Sequence, residues 1–154
     1  MVRYQIEFDV HYGYWYNTLC ESFYRRVDFG CNLVQLTGGS VAAAGVIGSY
    51  SWLVAISGVA LALCAALSLA MQPAVKAERH CHTKSAWLDL QGKMASLSDA
   101  ELQAAIAEKK KNADLGMISL NLPASNAAMR SLGYESSSFA SLTAWQRFVQ
   151  RLAM

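Results

Sequence analysis

The side chains able to do chemistry are few, and their spacing argues against catalysis. His80, Cys81 and His82 form the one ligand-like cluster, yet adjacent residues on a helix point in different directions, and no second pair at zinc spacing stands elsewhere. Three histidines in all give no base-and-orienter pairing from which to build a triad. Gly38-Gly39-Ser40 comes nearest to a nucleophile or phosphate motif, but it lies inside an apolar run and reads as packing; GxSxG, HExxH and a phosphate-cradling glycine loop are missing. No enzymatic activity, cofactor or metal is expected. Cys20 and Cys81 are candidates for acylation if they border a membrane. The remaining polar groups of interest are the amides of Asn32 and Gln35, which stand in an uncharged stretch where water lost on burial must be replaced by a partner or a wet lumen.

The element that holds those amides is defined by charge. The chain has 154 residues with thirteen Lys and Arg and eleven Asp and Glu, all of them in 1–28 or 76–154. The 47 residues from Phe29 to Val75 carry none of these and no histidine. One silent block between charged flanks indicates membrane insertion more strongly than a hydrophobic content of 54% and a mean hydropathy of +0.20 would alone. As a single helix the block would be about 70 Å long, more than twice the hydrocarbon core, so it must fold back. Gly48-Ser49-Tyr50-Ser51 is the turn-prone interruption, with Tyr50 and Trp52 of the type that favours the interface. The expected class is therefore an all-α membrane protein: a two-helix transmembrane hairpin over 29–72, with spans 29–48 and 52–71, between an N-terminal helix (1–28) and a C-terminal helical region (73–154). Gln72 and Pro73 end the second span, since proline breaks the hydrogen-bond ladder. The competing reading is a soluble helical protein that buries the hairpin in its core.

Arg25 and Arg26 precede the first span, Lys76, Arg79 and Lys84 follow the second, and the connecting turn has no cation. Both ends are accordingly expected in the cytoplasm. A cleavable secretory leader does not fit, because the apolar run starts only at Phe29 and follows Glu7, Asp9, Glu21 and Asp28. Of the four cysteines, Cys31 and Cys64 fall in the spans and Cys20 and Cys81 on the reducing side, so no disulfide framework is expected.

Two stripes of small residues mark the spans. Cys31, Gln35, Gly38, Ala42, Gly45 and Ser49 recur at threes and fours, and Gly58, Ala62, Ala66 and Ala70 recur at fours; each lets a backbone approach closely. Either the stripes face each other within one hairpin, or one packs the hairpin while the other joins neighbouring protomers or borders a water path. Asn32 and Gln35, repeated around a ring, would form a polar constriction.

The flanks read as helical. Eight of sixteen aromatics lie in the first 28 residues, and Tyr4, Phe8, Tyr12, Leu19, Phe23 and Val27 recur at helical spacing. Val2, Tyr4, Ile6, Phe8, Val10 and Tyr12 also alternate at the strand period, with Ile118, Leu120 and Leu122 as a possible partner strand, so helix is expected from Tyr14 and residues 2–12 stay open. A helix from Lys76 to about Ala95 follows the second span, and Ser98 to Glu101 forms a capping box for another that runs to about Asn112. Lys109, Lys110 and Lys111 suit that helix's negative end, and a net charge of +2 gives no case for nucleic acid. Trp145, Phe148, Val149 and Leu152 form one face of a last helix. That face is expected to pack on the N-terminal aromatic helix or, alternatively, to receive a partner.

Phe23-Tyr24-Arg25-Arg26 leading into a glycine- and alanine-rich hairpin, then Leu122-Pro123-Ala124-Ser125-Asn126 and Leu142-Thr143-Ala144-Trp145-Gln146, resembles the SLATT domains over most of the chain. Those are two-transmembrane proteins of bacterial conflict systems. The resemblance implies a membrane-perturbing effector of antiphage defence by abortive infection, in a bacterial inner membrane. The expected mechanism is that copies gather into a homo-oligomer and open a pore or otherwise disrupt the lipid bilayer. Many such domains work beside a nucleotide partner, but no nucleotide motif is present here. A multimeric phage protein is therefore the expected trigger, and a prophage a fitting source. The alternatives are a holin-like lysis protein, whose tail is usually short and charged, and a membrane scaffold that forms no pore.

Overall fold

The computed structural model describes residues 2–48, 50–111, 113 and 116–154. Six α-helices run in order: α1 (Arg3–Ile47), α2 (Ser51–Met71), α3 (Pro73–Lys93), α4 (Asp99–Lys111), α5 (Asn121–Ser131) and α6 (Ala144–Ala153), with short 3-10 turns at Ile118–Leu120 and Ser136–Ser138. No strand occurs among the described residues. The chain divides into two compact units, a polar one of Met1–Phe23 with Ala77–Met154 and an apolar one of Tyr24–Lys76.

In the polar unit, α1 is already helical at Arg3, which rules out the strand reading of residues 2–12 and of Ile118, Leu120 and Leu122. Tertiary burial decides the matter. Ile6 and Val10 fall one turn apart and close a core with Trp87, Leu90, Leu102 and Ile106, whereas a strand would have put them on one side with Tyr4 and Phe8, which stay partly exposed. Gly13 continues the same stripe, and a Cβ there would overlap the Trp87 indole. Several charged groups in this unit are paired. Lys84 Nζ binds Glu21 Oε2 at 2.5 Å, Lys110 Nζ binds Asp9 Oδ2 at 2.7 Å, and Arg3 Nη1 binds Asp99 Oδ1 at 2.9 Å. Asn126 holds the chain after α5 by donating to Ala140 O and accepting from Ala140 N.

The caps follow the sequence. Ser98 N donates to Glu101 Oε2 at 2.8 Å and Glu101 N to Ser98 Oγ at 3.4 Å, which opens α4; the Ser98 bonds hold the Glu101 carboxyl below its usual range. The expected end of that helix, Asn112, lies outside the described residues. Thr143 and Gln146 form a second capping box, at the start of α6.

The helix α2 stops at Met71. Gln72 takes the left-handed conformation (φ 45°) and donates its N–H to Ser68 O, and Pro73 opens α3, where its missing N–H costs nothing.

Candidate functional site

The apolar unit carries the candidate site, and its inside is a helix–helix seam. On α1, Gly45 and Gly38 face α2: a Cβ at Gly45 would stand 2.9 Å from Val54 Cγ2, and one at Gly38 3.1 Å from Leu61 Cδ2. Seven residues on one helix match seven on the other, the register of an antiparallel pair. Cys31, one heptad before Gly38, is buried on the same face of α1. At the turn Tyr50 N donates to Gly45 O at 2.8 Å. At the open end Lys76 Nζ lies 5.4 Å from the centre of the Tyr24 ring, a cation–π contact.

The first small-residue stripe is therefore the hairpin's own interior. Cys31 and Gly45 are buried, and Gln35, Gly38 and Ala42 half-buried; Ser49 lies outside the described residues. The second stripe is not its partner. Gly58, Ala62, Ala66 and Ala70 are all exposed, and a Cβ at Gly58 would meet nothing within 4 Å. The α2 side of the seam is instead a neighbouring row, with Ser57 buried and Val54, Leu61, Cys64 and Ser68 half-buried. That row mixes Val54 and Leu61 with the smaller Ser57, Cys64 and Ser68 at helical spacing, so a run of small residues did not mark the packed face of α2.

The outside of the unit is apolar. Phe29, Leu36, Trp52, Ile56, Val59, Leu63 and Leu69 are exposed large hydrophobics. Among the described residues one helical run, Ser51–Lys93, is long and apolar enough to cross a membrane, and 6% of its most apolar window is buried. A core helix of a soluble protein would be mostly buried. Hydroxyls in the unit bond to their own helix: Thr37 Oγ1 donates to Leu33 O at 2.8 Å, Ser40 Oγ to Leu36 O at 3.3 Å, and Ser57 Oγ to Leu53 O. This leaves less unsatisfied polarity for a lipid-facing helix to carry. Asn32 is exposed and donates to Asp28 Oδ2 at 3.1 Å, so it points away from the stripe on which Gln35 lies.

The second candidate region, α6, docks on the Ile118–Leu120 turn and on α5. Its buried contacts are Val149 and Ala153. Trp145, Phe148 and Leu152 remain exposed, Trp145 at 57%. They are nonetheless ordered: Trp145 stacks on Phe148 with centroids 5.6 Å apart, and its Nε1 donates to Ser119 Oγ at 3.0 Å. The four residues expected to share one face thus split, Val149 inward and three outward.

The histidine cluster is dispersed. His80 is buried with Nδ1 2.8 Å from Asn17 Oδ1, and Asn17 in turn donates to Gly13 O at 2.8 Å. His82 is exposed and lies 3.0 Å from Glu78 Oε1. No group of three His, Cys, Asp or Glu suited to a metal occurs among the described residues. Cys20 is fully buried, its thiol pushed up by burial against weaker bonds from Met117 and Tyr16, so it is no target for acylation. Comparison with protein-family models, with curated proteins and with solved structures finds no match to this chain.

Proposed function

We propose that the chain is a membrane effector of antiphage defence, a sensor and pore-former in one polypeptide. It resides in a bacterial inner membrane as a two-pass hairpin with both ends cytoplasmic. The observation that carries this reading is the inverted burial of the apolar unit: Gly38 and Gly45 sit in its interior against Leu61 and Val54, while most of its large hydrophobic side chains are exposed. In water such a surface is an aggregation liability; in lipid it is solvated. The SLATT resemblance supplies the biological setting.

Oligomerisation is the mechanism the exposed stripe supports. Gly58, Ala62 and Ala66 are not consumed by the hairpin and offer a neighbouring copy a close backbone approach. A multimeric phage protein would gather copies by fixing their number and spacing, which raises the effective concentration; the ordered Trp145 and Phe148 pair with Leu152 is the surface that would receive it. Gathered hairpins then separate the first seam enough to turn Gln35 toward an aqueous path. Residues 77–154 belong to a packed unit with its own core, which favours a sensing role over the short charged tail of a holin.

Dye release from liposomes containing the full-length protein tests the reading. Antibody clustering through a C-terminal tag should release dye, and Gln35→Leu should reduce the release without reducing insertion or oligomer size. Absence of leakage under every clustering condition contradicts the pore, and leakage unchanged in Gln35→Leu removes Gln35 from the path.

A further inference from the structure

The outward face of α6 has a chemistry that its docking on the rest of the polar unit does not use. At about 100° per residue, Trp145, Phe148 and Leu152 form one strip along the helix, and all three are exposed. Val149 and Ala153, on one flank of the strip, are buried. Arg147 and Arg151, one turn apart on the other flank, are exposed. Neither Asp nor Glu occurs in the helix, and Glu135 is the one acidic residue of 116–154, against Arg130, Arg147 and Arg151. Trp145 already donates its indole N–H to Ser119 Oγ, so its ring can enter an apolar medium without leaving a donor unpaired. Ile118, beside that serine in the chain, is itself 82% exposed.

We propose that this face is a lipid-interface site: in the resting protein Trp145, Phe148 and Leu152 enter the boundary between headgroups and acyl chains of an anionic bilayer, and Arg147 and Arg151 pair with lipid phosphates. An aromatic and aliphatic strip flanked by arginines is the arrangement that lies in the interface plane. The rings sit at headgroup depth, while each arginine stem covers apolar surface and its guanidinium reaches a phosphate. Three side chains bind a membrane only weakly by themselves. Chain connectivity offsets this, because the polar unit resumes at Ala77, soon after Met71 ends α2, and insertion of the hairpin therefore keeps lipid at high effective concentration. The site rests on the two-pass reading of the hairpin and adds regulation to it. A protein trigger must displace headgroups to reach Trp145, so the anionic lipid content sets the threshold for triggering.

The test uses full-length protein reconstituted in vesicles of phosphatidylcholine, with or without phosphatidylglycerol, in which the phosphatidylcholine is brominated near the headgroup end of its chains. Bromine quenches an indole at short range, and the emission of one tryptophan is isolated by subtracting that of its phenylalanine variant, Trp145→Phe or Trp52→Phe. With phosphatidylglycerol present the Trp145 component should be blue-shifted and quenched. In phosphatidylcholine alone, in high salt, or with Arg147→Gln and Arg151→Gln together, that quenching should be lost. Trp52, exposed on α2, should be quenched in every case. A Trp145 component open to aqueous iodide and untouched by bromine in both vesicles overturns the proposal and leaves the face to a protein partner. Equal bromine quenching with and without phosphatidylglycerol overturns the pairing with anionic headgroups. An unquenched Trp52 refutes the two-pass hairpin itself, so failure of either reading is seen separately.

Discussion

The two units are built from the same kind of part, a stretch of α1 packed against a later helix, yet they use side chains in opposite ways. In the polar unit the large hydrophobics face in, with Ile6, Val10 and Leu102 fully buried, and charges at the edge are paired, as in Glu21 with Lys84. In the apolar unit Gly38 and Gly45 face in, against Leu61 and Val54, and most large hydrophobics face out. One helix, α1, serves both, and the composition of its two halves alone separates them. The first arrangement suits water, and the second would suit lipid: apolar side chains withdraw from water but have no reason to withdraw from lipid, where close backbone packing holds helices together instead.

Core truncation should separate the units most strongly. Leu102→Ala removes a fully buried side chain from the polar core and is expected to cost about 2–5 kcal/mol in chemical denaturation, while carbonate-resistant pelleting stays unchanged. Leu63→Arg is the converse. Leu63 is exposed on α2, and an arginine there should disfavour insertion by about 3 kcal/mol and shift protein into the soluble or aggregated fraction; were α2 bathed in water, an exposed substitution would alter stability by no more than about 0.5 kcal/mol. Gly13→Ala drives a methyl into Trp87 and should lower polar-unit stability by about 1–3 kcal/mol, whereas Gly58→Ala, with open space around it, should leave hairpin folding intact.

The smallest expected effect concerns pH. Hydrogen bonding to Glu21 raises the Lys84 pKa, against a weaker opposing effect of burial. A group raised on folding stabilises fully below its unfolded pKa, so this contribution persists through neutral pH and disappears as pH climbs past the ordinary lysine range through the raised value. Denaturation followed to high pH should show that loss in the wild type and not in Lys84→Met, with no comparable step traceable to the apolar unit.

What the sequence made legible was what local chemistry fixes. Gln72 and Pro73 as the end of the second span, the Ser98–Glu101 box and the fold-back near Gly48 all depend on near neighbours in the chain; that Pro73 itself opens α3 was not read, since the next helix was expected only from Lys76. Residues 2–12 satisfied two periods at once, and only Trp87 and Leu102, far away in sequence, resolve them as helix. The α6 face was misjudged for a similar reason. A hydrophobic stripe shows that a helix can dock, not where; the Ser119 hydroxyl that holds Trp145 at the surface lies in a 3-10 turn without periodicity.

The central claim is that the outward hydrophobic surface of the apolar unit is solvated by lipid. Flotation of full-length protein, expressed in a bacterial cell, through a density gradient after alkaline carbonate extraction measures this directly. The account predicts that the protein rises with the membrane fraction and stays soluble after purification only while an amphiphile is present. A monodisperse species recovered in plain buffer, without detergent or bound lipid, would contradict it.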